Sequence, residues 1–372
     1  MKKKKPDLNL SAEPLFFHPH YEEKIWGGRK LSSLFGRVLP SEKTIGESWE
    51  LSAIGGASTT IAKGDLAGMP LDLLYRQASE PLNGPVAAGG TTFPLLVKFI
   101  DAHERLSVQV HPDDRLAREL FGEPFGKTEC WYVADAGTYG ALAVGLKKEV
   151  TEDELRVAAK SGAIEQLLNI VPVKNGEVYF IPATTIHAIL GDVVIYEVQQ
   201  SSDTTLRLYD WKRTDASGLP RPLHLDDAVR VADRSSRQSY LIDPLALPAE
   251  GYVHNIRIAC SHFALEEFIV PDGGGTVRIA PRASCRILTI LDGDLRLDWE
   301  SGATPVKKGE TVVLPAILGE VSVTGSEACC FLMTTVPDLQ REIVGQLEEA
   351  RYTPPRIRQL MGDRDGVSSG DR

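Results

Sequence analysis

VKNGEVYFIPA at residues 173–183 returns as VKKGETVVLPA at residues 306–316, with the same Gly, Glu and Pro at matching places. Each copy reads as a turn built on the Gly, then a short strand that ends at a Pro just before a loop. Two copies imply one β-unit used twice. Working outward, short alternating runs dominate both halves: residues 92–100, 106–110, 129–134, 178–181 and 193–199 in the first, and 256–258, 264–270, 285–290, 295–299 and 311–314 in the second. Many short strands parted by turn residues argue for a β-sandwich or barrel, and 23 prolines with 33 glycines agree. Helical patterns are fewer. Residues 151–171 open on Thr-Glu-Asp-Glu, a capping box between Thr151 and Glu154, and shorter patterns lie at 70–77, 112–121 and 223–234.

The strand ending in Pro before a loop resembles the second conserved segment of cupin jelly rolls. The expected fold class is therefore mainly β: two cupin-type jelly-roll β-sandwich or barrel domains with a few helices inserted around the first. Residues 1–14 read as a disordered leader, 15–240 as the catalytic domain with its helical segments, 241–337 as a degenerate metal-free copy, and 338–372 as an extension, partly helical or disordered. The boundary falls in residues 235–250, where a polar Arg/Ser stretch gives way to Pro244, Leu245 and Pro248. The copies differ after their prolines: Pro182 is followed by His187, and no histidine follows Pro315. Only the first copy can carry a metal.

Composition narrows the partners. The 372 residues carry 41 Lys and Arg against 51 Asp and Glu, a net charge of −10, so the overall field repels a nucleic-acid backbone. The one basic run, residues 2–5, leads into polar sequence rather than an apolar stretch, so no signal peptide is expected. No window has the roughly 18 apolar residues of a membrane span. Five cysteines, an odd number without a C-x-x-C pair, fit a reducing compartment, and the protein is expected to be cytoplasmic, a monomer or homodimer.

The chemistry gathers in the first copy. In LSVQVHPDD, residues 106–114, strand alternation puts Ser107, Gln109 and His111 on one face and Val108 and Val110 on the other. Lys98 is the conspicuous charge in FPLLVKFI, residues 93–100, and needs a counter-charge from protein or ligand. In GKTECWYV, residues 126–133, Lys127 and Glu129 share a face that Cys130 does not. His187 follows the Pro182 turn, and Glu197 lies on an alternating run leading through Asp203 to Arg207. Taken singly, each histidine is more often a bonded sheet or loop residue, and Glu129 beside Lys127 an ion pair. Two imidazoles, a carboxylate and an amide in one copy, absent from the other, instead suit a divalent borderline metal such as zinc.

These segments, with IWGG at residues 25–28, GESWELS at 46–52, IPATTIHAI at 181–189 and EVQQSSDTTLRLYDW at 197–211, resemble type I mannose-6-phosphate isomerases over most of the chain. The resemblance implies one zinc bound by Gln109, His111, Glu129 and His187, with Arg207, Lys127 and Glu197 in the catalytic pocket and Lys98 and Ser107 at the substrate phosphate. The implied reaction interconverts mannose 6-phosphate and fructose 6-phosphate through a cis-enediolate. It needs an acid–base group, an electrophile and a phosphate anchor, and the residues above supply each type. Glu197, Lys127 and a metal-bound water are all open as the proton carrier. Departures are Ile189, where some members have a tyrosine, and a tail after Pro337 with no counterpart. The competing readings are a non-catalytic sugar-phosphate-binding cupin and a metal-dependent dioxygenase. The Gln ligand and the phosphate-suited cations speak against the second.

Overall fold

The computed structural model describes residues 8–40, 42–214, 218–237, 239–325 and 327–362. Antiparallel sheets dominate it. In the first half, a seven-stranded sheet runs Leu241–Ile242, Val178–Ile181, Glu129–Asp135, Val193–Gln200, Leu95–Ala102, His20–Gly28, Ile45–Leu51. It faces a five-stranded sheet of Leu206–Tyr209, Val108–Val110, His187–Ile189, Ala141–Leu146 and Leu168–Pro172. The second half repeats the plan with an eight-stranded and a four-stranded sheet. The expected mainly β, cupin-type double architecture is what the chain adopts.

Why these sheets stack is visible in the strand Leu95–Ala102, buried along its whole length. Leu95, Val97 and Phe99 join the core shared with the second half, while Ile100 and Ala102 join the core inside the first. Lys98 points to that inner side with Ile100. The seam between halves also contains a buried polar chain. Tyr196 Oη lies 3.2 Å from Thr289 Oγ1 and 3.3 Å from Thr334 Oγ1, Thr289 meets Thr311 at 2.9 Å, and Thr311 donates to Glu50, which Arg37 grips with both Nη atoms. Such a satisfied network fixes one docking register, because any slip would strand several polar groups.

Several local expectations shift. The helix over 151–171 keeps its capping box, with Thr151 Oγ1 accepting from the Glu154 amide and Glu154 Oε2 from the Thr151 amide, but ends at Ser161. Gly162, at φ 84°, caps it in the left-handed region, and residues 168–172 become a strand. The segment begun at Leu71 runs to Ala87 with breaks at Ala78 and Gly84. Of the expected disordered leader, residues 1–7 lie outside the described residues, and Leu10 is buried in the shared core, where its apolar side chain outweighs the polar neighbours. The strand Leu15–His18 bridges the halves, pairing with Thr60–Ile61 of the first and Thr311–Leu314 of the second. The extension forms helical turns at Leu339–Val344, Gly345–Glu349 and Pro354–Leu360 that bury Ile343, Leu347, Ile357 and Leu360. Residues 363–372 lie outside the described residues.

Register relates the two copies residue by residue. Ile181 pairs with Glu129, and its counterpart in the repeat, Leu314, pairs with Arg286. Where the first copy has a buried carboxylate, the second has a fully buried guanidinium. Arg286 donates to the carbonyls of Ala280, Gly319 and Leu318 at 3.1, 3.0 and 2.6 Å, so the loop after Pro315 folds over a cation that belongs to the chain. Burial pushes this guanidinium down to about 10, leaving it charged at neutral pH. Arg286→Met removes the donors and strands those carbonyls. A loss of about 3–5 kcal/mol is expected, read from the urea midpoint at unchanged m; a loss under about 1 kcal/mol would mean the loop finds other partners.

Candidate metal centre and active site

Three adjacent strands of the smaller sheet set one wall of the site. Gln109 is in register with both His187 and Arg207, so these three side chains lie abreast. Val108 and Val110 turn to the other side and pack on the capped helix, which rigidifies the wall. His111 follows directly. Its carbonyl accepts from the Thr184 amide at 2.7 Å, tying the loop before His187 to the segment after Gln109. Thr184 sits at φ 71°, a left-handed conformation a β-branched residue seldom takes, held where the two histidine segments meet.

The facing sheet supplies Glu129, fully buried, with both carboxylate oxygens lacking any hydrogen-bond partner. Glu129 Oε2 lies 3.7 Å from His111 Nε2, and Oε1 lies 3.4 Å from His187 Nε2. Ligand atoms of the three residues lie within 4.8 Å of one another, the one such buried group among the described residues. Each imidazole donates from Nδ1 to a backbone carbonyl, His111 to Thr204 at 2.8 Å and His187 to Thr185 at 2.9 Å. That fixes the tautomer and turns the Nε2 lone pair of each inward. Burial, reinforced by Lys127, lowers both histidines, His187 to about 4, so both are neutral at physiological pH. Burial and the neighbouring Glu197 carboxylate push Glu129 upward against the pull of Lys127 and Lys98. A carboxylate this buried and unsatisfied is costly alone, and a divalent cation removes the cost. The Gln109 amide nitrogen lies 3.3 Å from His187 Nε2 and donates to it, which places the amide at the same point; its oxygen is the atom that could serve as a neutral metal ligand. The donor set fits a metal.

Above it opens a cleft of about 310 Å³ that Lys98, Ser107, Gln109, Lys127, Glu197 and Arg207 all line. Glu197 Oε2 is 2.8 Å from Lys98 Nζ, and its Oε1 accepts from Trp131 Nε1 at 2.7 Å. Burial raises Glu197, but Lys98 and Lys127 outweigh it and keep the carboxylate ionised. Lys98 thus finds its counter-charge in the protein: Glu197, and Glu47 at 3.4 Å. Burial would lower Lys98, and those two carboxylates raise it instead. Lys127 Nζ stands 3.7 Å from Glu129. Cys130 faces away into the shared core. Arg207 donates from Nε to Ser107 Oγ at 3.2 Å and from Nη1 to the Pro222 carbonyl, and has no carboxylate partner among the described residues. Burial and the like charges of Arg221 and Arg213 lower it.

All nine expected site residues therefore meet in one place. Sequence reasoning missed Glu47, Lys24, Trp26, Trp131 and Arg221 as part of the same wall. Glu47 carried a signal, a carboxylate alternating with Trp49 in GESWELS. Burial would raise it, but Lys98, Lys24, the Trp49 N–H and Lys127 hold it down to about 2. Arg221 lies on a proline-flanked loop whose pattern says nothing about where it folds back.

Comparison with known proteins gives the family. The model of the phosphomannose isomerase type I catalytic domain matches residues 15–143. Mannose-6-phosphate isomerase of Streptococcus mutans is 35% identical over 304 residues, covering 82% of this chain and 93% of that protein. The chain belongs to the type I phosphomannose isomerase family. A second family member, mannose-6-phosphate isomerase ManA of Bacillus subtilis, is 33% identical over 86% of this chain and 98% of its own length. The crystal structure of the mannose 6-phosphate isomerase from B. subtilis superposes with a TM-score of 0.79 at 33% identity, over 86% of this chain and 99% of that one. A phosphomannose isomerase from Salmonella typhimurium shares the fold at 18% identity, TM-score 0.70. The family match to residues 15–143 spans Lys98, Ser107, Gln109, His111, Lys127 and Glu129, and the full-length relatives extend the likeness over His187, Glu197 and Arg207. No helix among the described residues is long and apolar enough to cross a membrane.

Proposed function

We propose that the protein is a zinc-dependent aldose–ketose isomerase that interconverts D-mannose 6-phosphate and D-fructose 6-phosphate through a cis-enediolate. The observation that carries this reading is the convergence of three buried ligand groups on one point, His111 Nε2 and both Glu129 oxygens among them unsatisfied, beneath a cleft lined by the ionised Glu197 carboxylate and the Arg207 guanidinium. The names of the full-length relatives support the substrate pair. One zinc per chain would be held by Gln109, His111, Glu129 and His187, where it supplies Lewis acidity toward the sugar oxygens.

The remaining chemistry belongs to the chain's own groups. Glu197 is the group we assign to moving the proton between C2 and C1, because Lys98 holds it ionised and Trp131 fixes its orientation. Glu129 is unavailable as a base if it ligates metal. Lys127 faces the same space and steadies negative charge there. Arg207, with no carboxylate partner among the described residues, stabilises the developing enediolate charge. Ser107, bonded to Arg207, and Lys98 form the cationic surface for the phosphate, with Arg221 adjoining. Lys98 is already neutralised by Glu47 and Glu197, so Ser107 with the arginines carries more of that anchoring. We read residues 15–240 as the catalytic unit, 241–337 as the metal-free one and 338–372 as an extension. A cytoplasmic setting is supported by five cysteines that are all unpaired.

The test is turnover of mannose 6-phosphate, followed as fructose 6-phosphate in a coupled assay, before and after chelation and after zinc is restored. Activity lost and regained supports the reading. Zinc-loaded protein without turnover would turn it toward a non-catalytic sugar-phosphate-binding protein. Arg207→Ala is expected to lower kcat/KM by about 10²–10³ while zinc stays bound. A variant within about threefold of the parent would remove Arg207 from the mechanism.

A further inference from the structure

The second half holds a cleft of about 720 Å³, larger than the catalytic one. Strand register relates the two. In the first copy Glu197 pairs with Trp131 and Lys98; at the matching positions of the second, Met333 pairs with Leu288 and Glu266. Met333 lines the larger cleft, so this cleft occupies in the metal-free unit the place that the catalytic cleft occupies in the first. Its metal-equivalent position is closed by Arg286, and no metal chemistry is available there.

The polar groups of this cleft sort into satisfied and free. Glu266, almost fully buried, takes His254 Nε2 at 2.7 Å and Arg282 at 3.1 Å on both oxygens. Glu342 accepts the Ala283 amide on one oxygen and the Asp338 amide on the other, at 2.6 and 3.0 Å. Asp338 caps the first helical turn of the extension through the Arg341 amide. Each acid is thus committed to a partner. Arg278, on the strand Val277–Ile279, and Arg341, on the extension, line the same cleft from two separate elements, exposed and without an ion-pair partner among the described residues. Beside them His254 stacks on Phe268 at 4.2 Å between centroids, giving a firm flat wall. Two uncommitted guanidiniums facing one concave space suit a phosphoryl group, and the remaining volume suits a body of sugar size.

We infer that the metal-free unit carries a second, non-catalytic binding site for a phosphorylated sugar, anchored by Arg278 and Arg341. The anion preference rests on the two arginines. The sugar class rests on the reading of the first cleft as a sugar-phosphate site, of which this one is the register counterpart. The site also gives the extension a role, since it contributes one of the two anchors.

Equilibrium dialysis of the intact protein against saturating mannose 6-phosphate, counting organic phosphate bound per chain, tests it. Two equivalents for the parent and one for Arg278→Glu/Arg341→Glu, or at least a tenfold weaker second site in that variant, is the expected result. Both side chains are exposed and unpaired, and an unchanged melting temperature shows that the variant folds. One equivalent in the parent, unchanged in the variant, overturns the second site and leaves the catalytic reading standing. One equivalent that the variant loses entirely supports the second site and overturns the first cleft as a sugar-phosphate site. Two equivalents in both proteins overturn the location.

Discussion

His187→Ala is expected to release the metal and abolish turnover together. His187 is 1% exposed, its Nδ1 is committed to the Thr185 carbonyl, and its Nε2 faces Glu129 and Gln109. Truncation removes a ligand atom from the centre of the group, and the only imidazole left in that group among the described residues is His111, already counted as a ligand. Loss of an outer partner of a ligand costs about 10–100-fold in metal affinity, so loss of the ligand itself exceeds that. It also leaves Glu129 facing fewer positive or polar groups, and a buried carboxylate without them is protonated rather than ligating. Metal analysis of the purified variant and the coupled assay read the two losses. Retention of one zinc per chain would show that the metal sits elsewhere.

Glu197→Gln is expected to cut kcat by about 10³ with zinc content unchanged. The substitution keeps shape and can keep the Trp131 N–H as donor to its amide oxygen, so the effect reports loss of charge and basicity rather than packing. Lys98 keeps Glu47 at 3.4 Å, so its own charge is not stranded. Exchange of the C2 hydrogen with solvent should fall with kcat, because the same group carries that proton. The pH profile follows from the direction of the shift. Lys98 and Lys127 overcome burial and lower Glu197, so its basic form persists below the pH at which an ordinary glutamate would protonate, and kcat should fall only under that range. A Gln variant with near-parental kcat would shift the proton transfer to Lys127 or a metal-bound water.

How much of this was readable beforehand differs by level. The repeat at 173–183 and 306–316, with period-two alternation around it, determined a duplicated β architecture, because a two-residue period can bury one face only in a sheet. The same period put Lys127 with Glu129, away from Cys130, and Ser107 with Gln109 on one side of their strand; both pairings hold. Helix ends were read less well, since Gly162 stops a pattern whose apolar spacing continues for several more residues. The leader failed for a related reason: composition averages over residues, and one buried Leu10 decides whether a segment docks.

The residues themselves supply the set of groups, two histidines, a glutamate and a glutamine in one copy with no histidine after Pro315, together with the faces on which they stand. Tertiary structure alone decided what each group meets. Lys98 is matched by Glu197 and Glu47 from neighbouring strands, Arg207 has no carboxylate partner among the described residues, and Arg286 fills in the second copy the place that Glu129 holds in the first. Strand period fixes which way a side chain points. Only the pairing of strands distant in the chain sets the charge across from it, and in a buried site that partner governs protonation, ligation and reactivity.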